Sequence, residues 1–274
     1  MNQQNIVRYF KTLTWPAIVL ATYLIISMIF NMGAGLILWG NPHADAGCCI
    51  SLALLGSSVV TACLLLCYKP LDLAISYRRL GSDKRTAAVA FLAIVAGLQG
   101  FGILNDLLDW NNIMEETFNS MLGSVWGILA IALFGPICEE VVFRAGIIKP
   151  MLNAGASPMA AIITSAVVFG LIHGNPAQIF FAMLVGIVFG VVYTRTRSLI
   201  ITTLGHIFNN TLSVILMLAY QGNEDKITAT NIFGGTLTAS IVLLVSICIC
   251  FVLLRIVWKR TAMQNSSSAT TLIQ

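Results

Sequence analysis

The chain has 274 residues, of which 58% are hydrophobic and 9% charged, with a mean hydropathy of +0.89 and a formal net charge of +4. These values lie far outside the range of soluble globular domains, and they describe an integral membrane protein. The excess of basic residues is explained by their positions at one set of span ends, so no nucleic-acid partner is expected and membrane lipids are the standing contact.

Apolar runs of about 20 residues read as spanning helices, because lipid offers the backbone no hydrogen-bond partner and each span must satisfy its own. Residues 1–14 are polar, with Arg8 and Lys11, and form an N-terminal segment expected in the cytoplasm. The first span, about Trp15 to Trp39, is too long for the apolar core of a signal peptide. A turn with Asn41, Pro42 and Asp45 leads to a second span, Gly47 to Tyr68, and then to a loop carrying Lys69, Arg78, Arg79, Lys84 and Arg85. The third span, Thr86 to Leu104, ends in a loop with Asp106, Asp109, Glu115 and Glu116 but no Lys or Arg.

The fourth span begins near Ser120, meets Gly135-Pro136, and continues through Glu139, Glu140 and Arg144 to Lys149-Pro150. Proline removes a backbone donor and kinks helices, so the charged part is expected as a distinct segment set at an angle. The fifth span, Met159 to His173, is followed by the break Gly174-Asn175-Pro176. The sixth, Ala177 to Thr194, leads to Arg195 and Arg197; the seventh, Leu199 to Tyr220, holds His206, Asn209 and Asn210. Residues 221 to 231 are polar, an eighth span runs from Ile232 to Trp258, and residues 261–274 are expected to form a disordered tail.

The fold class is therefore all-α, a polytopic helix bundle of about eight spans in one domain over residues 15–260, with both termini cytoplasmic. With that topology every Lys and Arg except Lys226 falls on the inner side or inner half, and the acidic loops face outward. Short loops suggest a bacterial plasma membrane. Cys63, Cys67, Cys138, Cys248 and Cys250 lie within spans, where a thiol behaves as a small hydrophobe, and no disulfide or zinc-finger spacing follows.

A charged side chain at mid-bilayer costs on the order of 2.5 to 3.5 kcal/mol on insertion scales, so Glu139, Glu140 and Arg144 together point to function. At helical spacing Glu140 and Arg144 share a face and can pair, while Glu139 is rotated about 100° away. His206 and Asn210 are likewise one turn apart, as are Phe169 and His173. Each has a structural reading when taken alone: a hydrogen-bonded core histidine, a helix-packing amide, a buried ion pair, a core aromatic. Their joint presence favours a site. Straight helices rising about 1.5 Å per residue would put His173 about 20 Å above the inner face and His206 about 10 Å, so convergence calls for tilted or broken helices.

Glu139-Glu140-Val-Val-Phe-Arg144 fits Glu-Glu-x-x-x-Arg, Phe169-Gly-Leu-Ile-His173 fits Phe-x-x-x-His, and His206-Ile-Phe-Asn-Asn210 fits His-x-x-x-Asn. On these motifs the chain resembles the CAAX-prenyl-protease and bacteriocin-processing family of intramembrane proteases, also called CPBP or Abi, over about residues 120–220. The resemblance implies hydrolysis of a peptide bond in a peptide or lipidated-peptide substrate, with members that trim prenylated C-termini or take part in bacteriocin maturation or immunity. The catalytic set it implies is Glu139, Glu140, Arg144, His173, His206 and Asn210. In a glutamate mechanism Glu139, helped by His173, activates water, His206 and Asn210 face the oxyanion, and Glu140 with Arg144 fixes the geometry. A zinc ion on His173, His206 and Glu140 is equally constructible. A polar cavity opening toward the cytoplasm is expected in either case.

Other intramembrane protease chemistries find no support: there is no His-Glu-x-x-His, all six Asp residues fall in predicted loops, and no Ser/His motif is evident. Two rivals from other classes are a proton- or cation-coupled transporter using the buried Glu and His residues, and a non-catalytic peptide-binding immunity protein. No repeat symmetry of the kind transporters show is visible.

Overall fold

The computed structural model describes residues 3–41, 43–67, 83–220 and 228–271. Among them there is no strand, and the helices are α1 (Gln3–Gly40), α2 (Ala46–Cys67), α3 (Lys84–Leu107), α4 (Glu115–Leu122), a long composite helix α5 (Val125–Asn153), α6 (Pro158–Leu171), α7 (Pro176–Thr196), α8 (Leu199–Ala219), the single turn α9 (Ala229–Ile232) and α10 (Thr236–Thr271). Seven are long and apolar enough to cross a membrane. The basic run from Lys69 to Arg79 and the acids Glu224 and Asp225 lie outside the described residues.

The expected fifth span is the shorter helix α6. Its 14 residues reach about 21 Å at 1.5 Å per residue, less than the roughly 30 Å hydrocarbon core. It is held against α7 by a close approach of the two backbones. A Cβ added at Gly186 would lie 3.1 Å from the Ala166 Cα, and one at Gly190 3.0 Å from the Ile162 Cγ2. This small-xxx-small spacing is how membrane helices pack tightly without a hydrophobic driving force between them.

The fourth span, where a distinct segment set at an angle was expected, is helical without interruption from Val125 to Asn153. Helix α5 stays helical across both prolines because it alternates α-helical segments with two wider π-helical ones, Ala130–Phe134 and Val141–Ile148. Pro136 and Pro150 each follow a π segment by two residues. In a regular α-helix the proline ring collides with the carbonyl four residues back, and a widened turn ahead of it moves that carbonyl aside. Gly135 is needed in this arrangement, since a Cβ there would sit 2.9 Å from the Ala130 carbonyl oxygen. The preceding loop contributes the separate short helix α4, amphipathic and led by Glu115 and Glu116.

Helix α5 sits at the centre. One cluster of buried apolar side chains gathers Val142, Phe143 and Ile148 of α5 with Val19 of α1, Leu65 of α2 and Phe169 of α6. A second joins α3, α7, α8 and α10 through Ile94, Val188, Phe189, Ile201 and Val257. Helices α1 and α10 are peripheral and turn residues such as Leu36, Leu237 and Leu244 outward, toward the place of lipid. Helix α10 continues beyond its apolar stretch (Thr236–Ala262) to Thr271, into the segment expected as a tail; extending an existing helix costs far less than nucleating one.

The charge asymmetry survives in three dimensions. At one end of the bundle lie Lys84, Lys149, Arg195, Arg197 and Arg260; there Asp83 caps α3 by accepting from the Thr86 backbone N–H and hydroxyl, and the Arg260 guanidinium meets Asp83 at 3.4 Å. At the opposite end, Asp106 accepts from the Ala229 N–H at 2.7 Å and Asn105 donates to the Ala177 carbonyl at 2.9 Å.

Candidate functional site

Glu140 and Arg144 are both fully buried. Their one-turn spacing brings Arg144 Nε to 3.1 Å from Glu140 Oε2, and the guanidinium lies between the rings of Phe169 and Phe189, 5.2 and 5.3 Å from their centroids. Two aromatic faces around a desolvated cation supply attraction where water cannot.

The remaining oxygen of Glu140 reaches across to α8. Oε1 accepts from His206 Nδ1–H at 3.1 Å, and the other ring nitrogen, Nε2, lies 3.5 Å from Glu139 Oε2. A carboxylate already paired with Arg144 can only accept, so it sets the proton on Nδ1 of His206. Glu139 behaves differently from its neighbour: its side chain keeps 19% of its surface exposed. The rotation of about 100° per helical residue thus separates the two carboxylates into one sealed within the protein and one facing open space.

That space is a cavity of about 450 Å³, lined by Glu139, Phe169, His173, Asn175, His206, Asn209 and Asn210 among others. His173 lies on the turn after α6 and donates from Nδ1 to the Phe169 carbonyl at 2.7 Å, which leaves Nε2 as its acceptor. The Phe169 ring links the two histidines, with centroids 5.0 Å from His173 and 5.8 Å from His206. The depth difference expected for straight helices is therefore met by a cavity that extends along α8, with Phe169 as the step between its levels.

Asn210 is fixed by the π segment of α5. The Gly135 N–H is taken by the Ala130 carbonyl, and Pro136 has no N–H, so the Ile131 carbonyl lacks both its α-type and its π-type partner. The Asn210 Nδ2 donates to it at 2.9 Å, and the Asn210 Oδ1 accepts from Asn209 Nδ2 at 3.1 Å. One N–H of Asn210 is left for the cavity.

All six candidate residues are thus in one neighbourhood, but in two layers: Glu139, His173, His206 and Asn210 line the cavity, and Glu140 with Arg144 lies behind it. The sequence does not single out Asn175, which reads there only as part of the break Gly174-Asn175-Pro176. It is completely buried, donates to Asn112 Oδ1 at 2.8 Å and accepts from the Ile113 N–H at 3.2 Å, and so pins the loop after α3 to the α6–α7 turn. An amide between Gly174 and Pro176 in an apolar stretch was the available signal. Irregular backbone at such a depth is tolerated where protein covers it or a cavity hydrates it.

Two expectations change. The lining of the cavity extends to Asn112, Met114 and Phe118, beyond the outer end of α3, and to Ser213 and Met217 of α8, all toward the acidic end of the bundle, whereas an opening toward the basic end was expected. The zinc set His173, His206 and Glu140 does not fit either. Both Glu140 oxygens are engaged by Arg144 and His206, His206 turns Nδ1 to Glu140, and among the described residues no three His, Cys, Asp or Glu side chains converge closely enough to hold a metal ion.

Comparison with known proteins supports the same stretch. Residues 121–212 match the family described as type II CAAX prenyl endopeptidase Rce1-like. The chain is also 30% identical over 111 residues to the "Putative membrane peptidase YdiL" of Bacillus subtilis (strain 168), a match that covers 39% of this chain and 45% of that relative. The chain thus matches less than half the length of this curated relative. No solved structure matches.

Proposed function

The chain belongs, through residues 121–212, to the CAAX-prenyl-protease and bacteriocin-processing family, and from that premise we propose that it is an intramembrane endopeptidase cleaving a membrane-associated peptide. The observation that carries the reading is the single cavity into which Glu139, His173, His206 and Asn210 all face, while Glu140 and Arg144 stay sealed behind it.

Peptide hydrolysis needs a base for water, donors for the oxyanion and an acid for the leaving amine. Glu139 is the carboxylate in the cavity. It removes a proton from water as the oxygen attacks the carbonyl carbon, and returns that proton to the amine nitrogen as the C–N bond breaks. His173, with Nδ1–H committed to Phe169, offers Nε2 to orient the water. The remaining Asn210 N–H is the donor that faces the oxyanion, while His206, its proton held on Nδ1 by Glu140, turns Nε2 toward Glu139. The Glu140–Arg144 pair acts through His206, holding its ring orientation and tautomer. No step is routed through a metal, because the donors present do not form a metal set.

The test is cleavage of a synthetic peptide library by the purified full-length protein in proteoliposomes, read by mass spectrometry. Glu139→Gln should lower turnover by at least about 100-fold, the scale of lost general acid–base catalysis, while insertion and thermal unfolding stay those of the wild type. Undiminished turnover would remove Glu139 from the mechanism, and no Glu139-dependent cleavage at all would turn the reading toward a peptide-binding protein. Cleavage should also survive a strong chelator. Chelator-sensitive turnover together with stoichiometric bound zinc would overturn the metal-free reading.

A further inference from the structure

The lining of the cavity reaches Asn112, Phe118, Ser213 and Met217, toward the end of the bundle where the described loops hold Asp106, Asp109, Glu115 and Glu116. Toward the basic end the path is closed by packed side chains with no exposed surface, Val142, Phe143, Arg144, Phe189 and Val192. Lys and Arg mark the cytoplasmic side of membrane proteins, because loops rich in them are retained there. From Met217 down to His206 the cavity follows α8 for about 16 Å at 1.5 Å per residue. That depth accepts about five residues of extended peptide at 3.3 Å each.

We infer that the cavity receives its substrate from the extracytoplasmic face, so that the peptides it takes are ones already displayed on that side, such as exported or surface-exposed segments, and not lipidated C-termini of cytoplasmic proteins. The identity of the substrate as a peptide rests on the endopeptidase reading; the direction of access rests on geometry and charge alone. The polar part of the wall is consistent with an extended backbone as guest, since Asn112, Gln178 and Asn209 offer amides that can both donate and accept.

Access can be read without any substrate. In intact bacterial cells expressing the full chain, a sulfonated, membrane-impermeant maleimide should modify Ser213→Cys, and peptide mass spectrometry should locate the label at residue 213 apart from any on the native cysteines. Arg197→Cys, at the basic end, should be labelled only in inverted vesicles. Should Ser213→Cys fail to accumulate, Met217→Cys, one turn further out, replaces it. Labelling of the cavity cysteine only in inverted vesicles, from neither side, or with Arg197→Cys labelled in intact cells instead, overturns the inference. The peptidase reading stands or falls separately, on Glu139-dependent cleavage in proteoliposomes, where both faces of the protein can be supplied with peptide.

Discussion

Arg144 heads the largest fully buried side chains in the described protein, and its only charged contact within ion-pair distance is Glu140. Removing one member of such a pair strands the other charge, which costs on the order of 3–5 kcal/mol, whereas replacing both by apolar groups is often neutral. Arg144→Leu should therefore lower thermal stability in detergent sharply, and the double substitution Glu140→Leu with Arg144→Leu should be more stable than the single one. The double variant should still be inactive, because His206 loses the acceptor that orients its ring. A double variant less stable than Arg144→Leu alone would show that the pair contributes more than mutual neutralisation. The sequence made this layer legible: the four-residue spacing of Glu140 and Arg144 and the turned position of Glu139 follow from helical periodicity alone. Asn175 was not legible in the same way, since its partners Asn112 and Ile113 lie over 60 positions away and belong to a loop that no local pattern places.

At the level of elements, hydropathy located every apolar helix, and the bounds of α7 and α8 agree with expectation to within two residues. What it could not reveal was how α5 passes its prolines. A proline in an apolar stretch signals a defect in the hydrogen-bond ladder, but whether the helix bends, breaks or widens depends on what neighbouring helices offer to the freed groups. Here α8 offers Asn210 to the Ile131 carbonyl. Asn210→Leu should accordingly destabilise the protein by about 1–3 kcal/mol, the usual cost of an unsatisfied buried polar group. Pro136→Ala supplies an N–H five residues beyond Ile131, in π-type register. The loss caused by Asn210→Leu should then be smaller in a Pro136→Ala background, as measured by a double-mutant cycle on unfolding temperatures. Additive effects of the two substitutions would mean that Asn210 does not serve the proline defect.

For the whole molecule, the charge pattern distinguishes a basic from an acidic end of the bundle, yet the reach of the cavity toward the acidic end is visible only in the packing, because it depends on how α5, α7 and α8 come together. The basic end carries a clamp between the first turn of α3 and the end of α10's span. Asp83 accepts from the Thr86 hydroxyl and backbone N–H, and these hydrogen bonds, with a smaller contribution from the Arg260 charge, lower its pKa from an ordinary 3.8 to about 2. A carboxylate depressed in the folded state adds stability that is complete above its unfolded pKa and disappears as pH falls through the folded one. The contribution of Asp83 should thus be constant above about pH 4 and vanish between there and pH 2. Comparing unfolding temperatures of the wild type and Asp83→Asn across that window checks it: the two curves should be separated above pH 4 and converge toward pH 2. Arg260→Ala should narrow the separation only modestly, since the Thr86 hydrogen bonds remain. Curves that run parallel down to pH 2 would mean that the α3–α10 clamp does not depend on ionised Asp83.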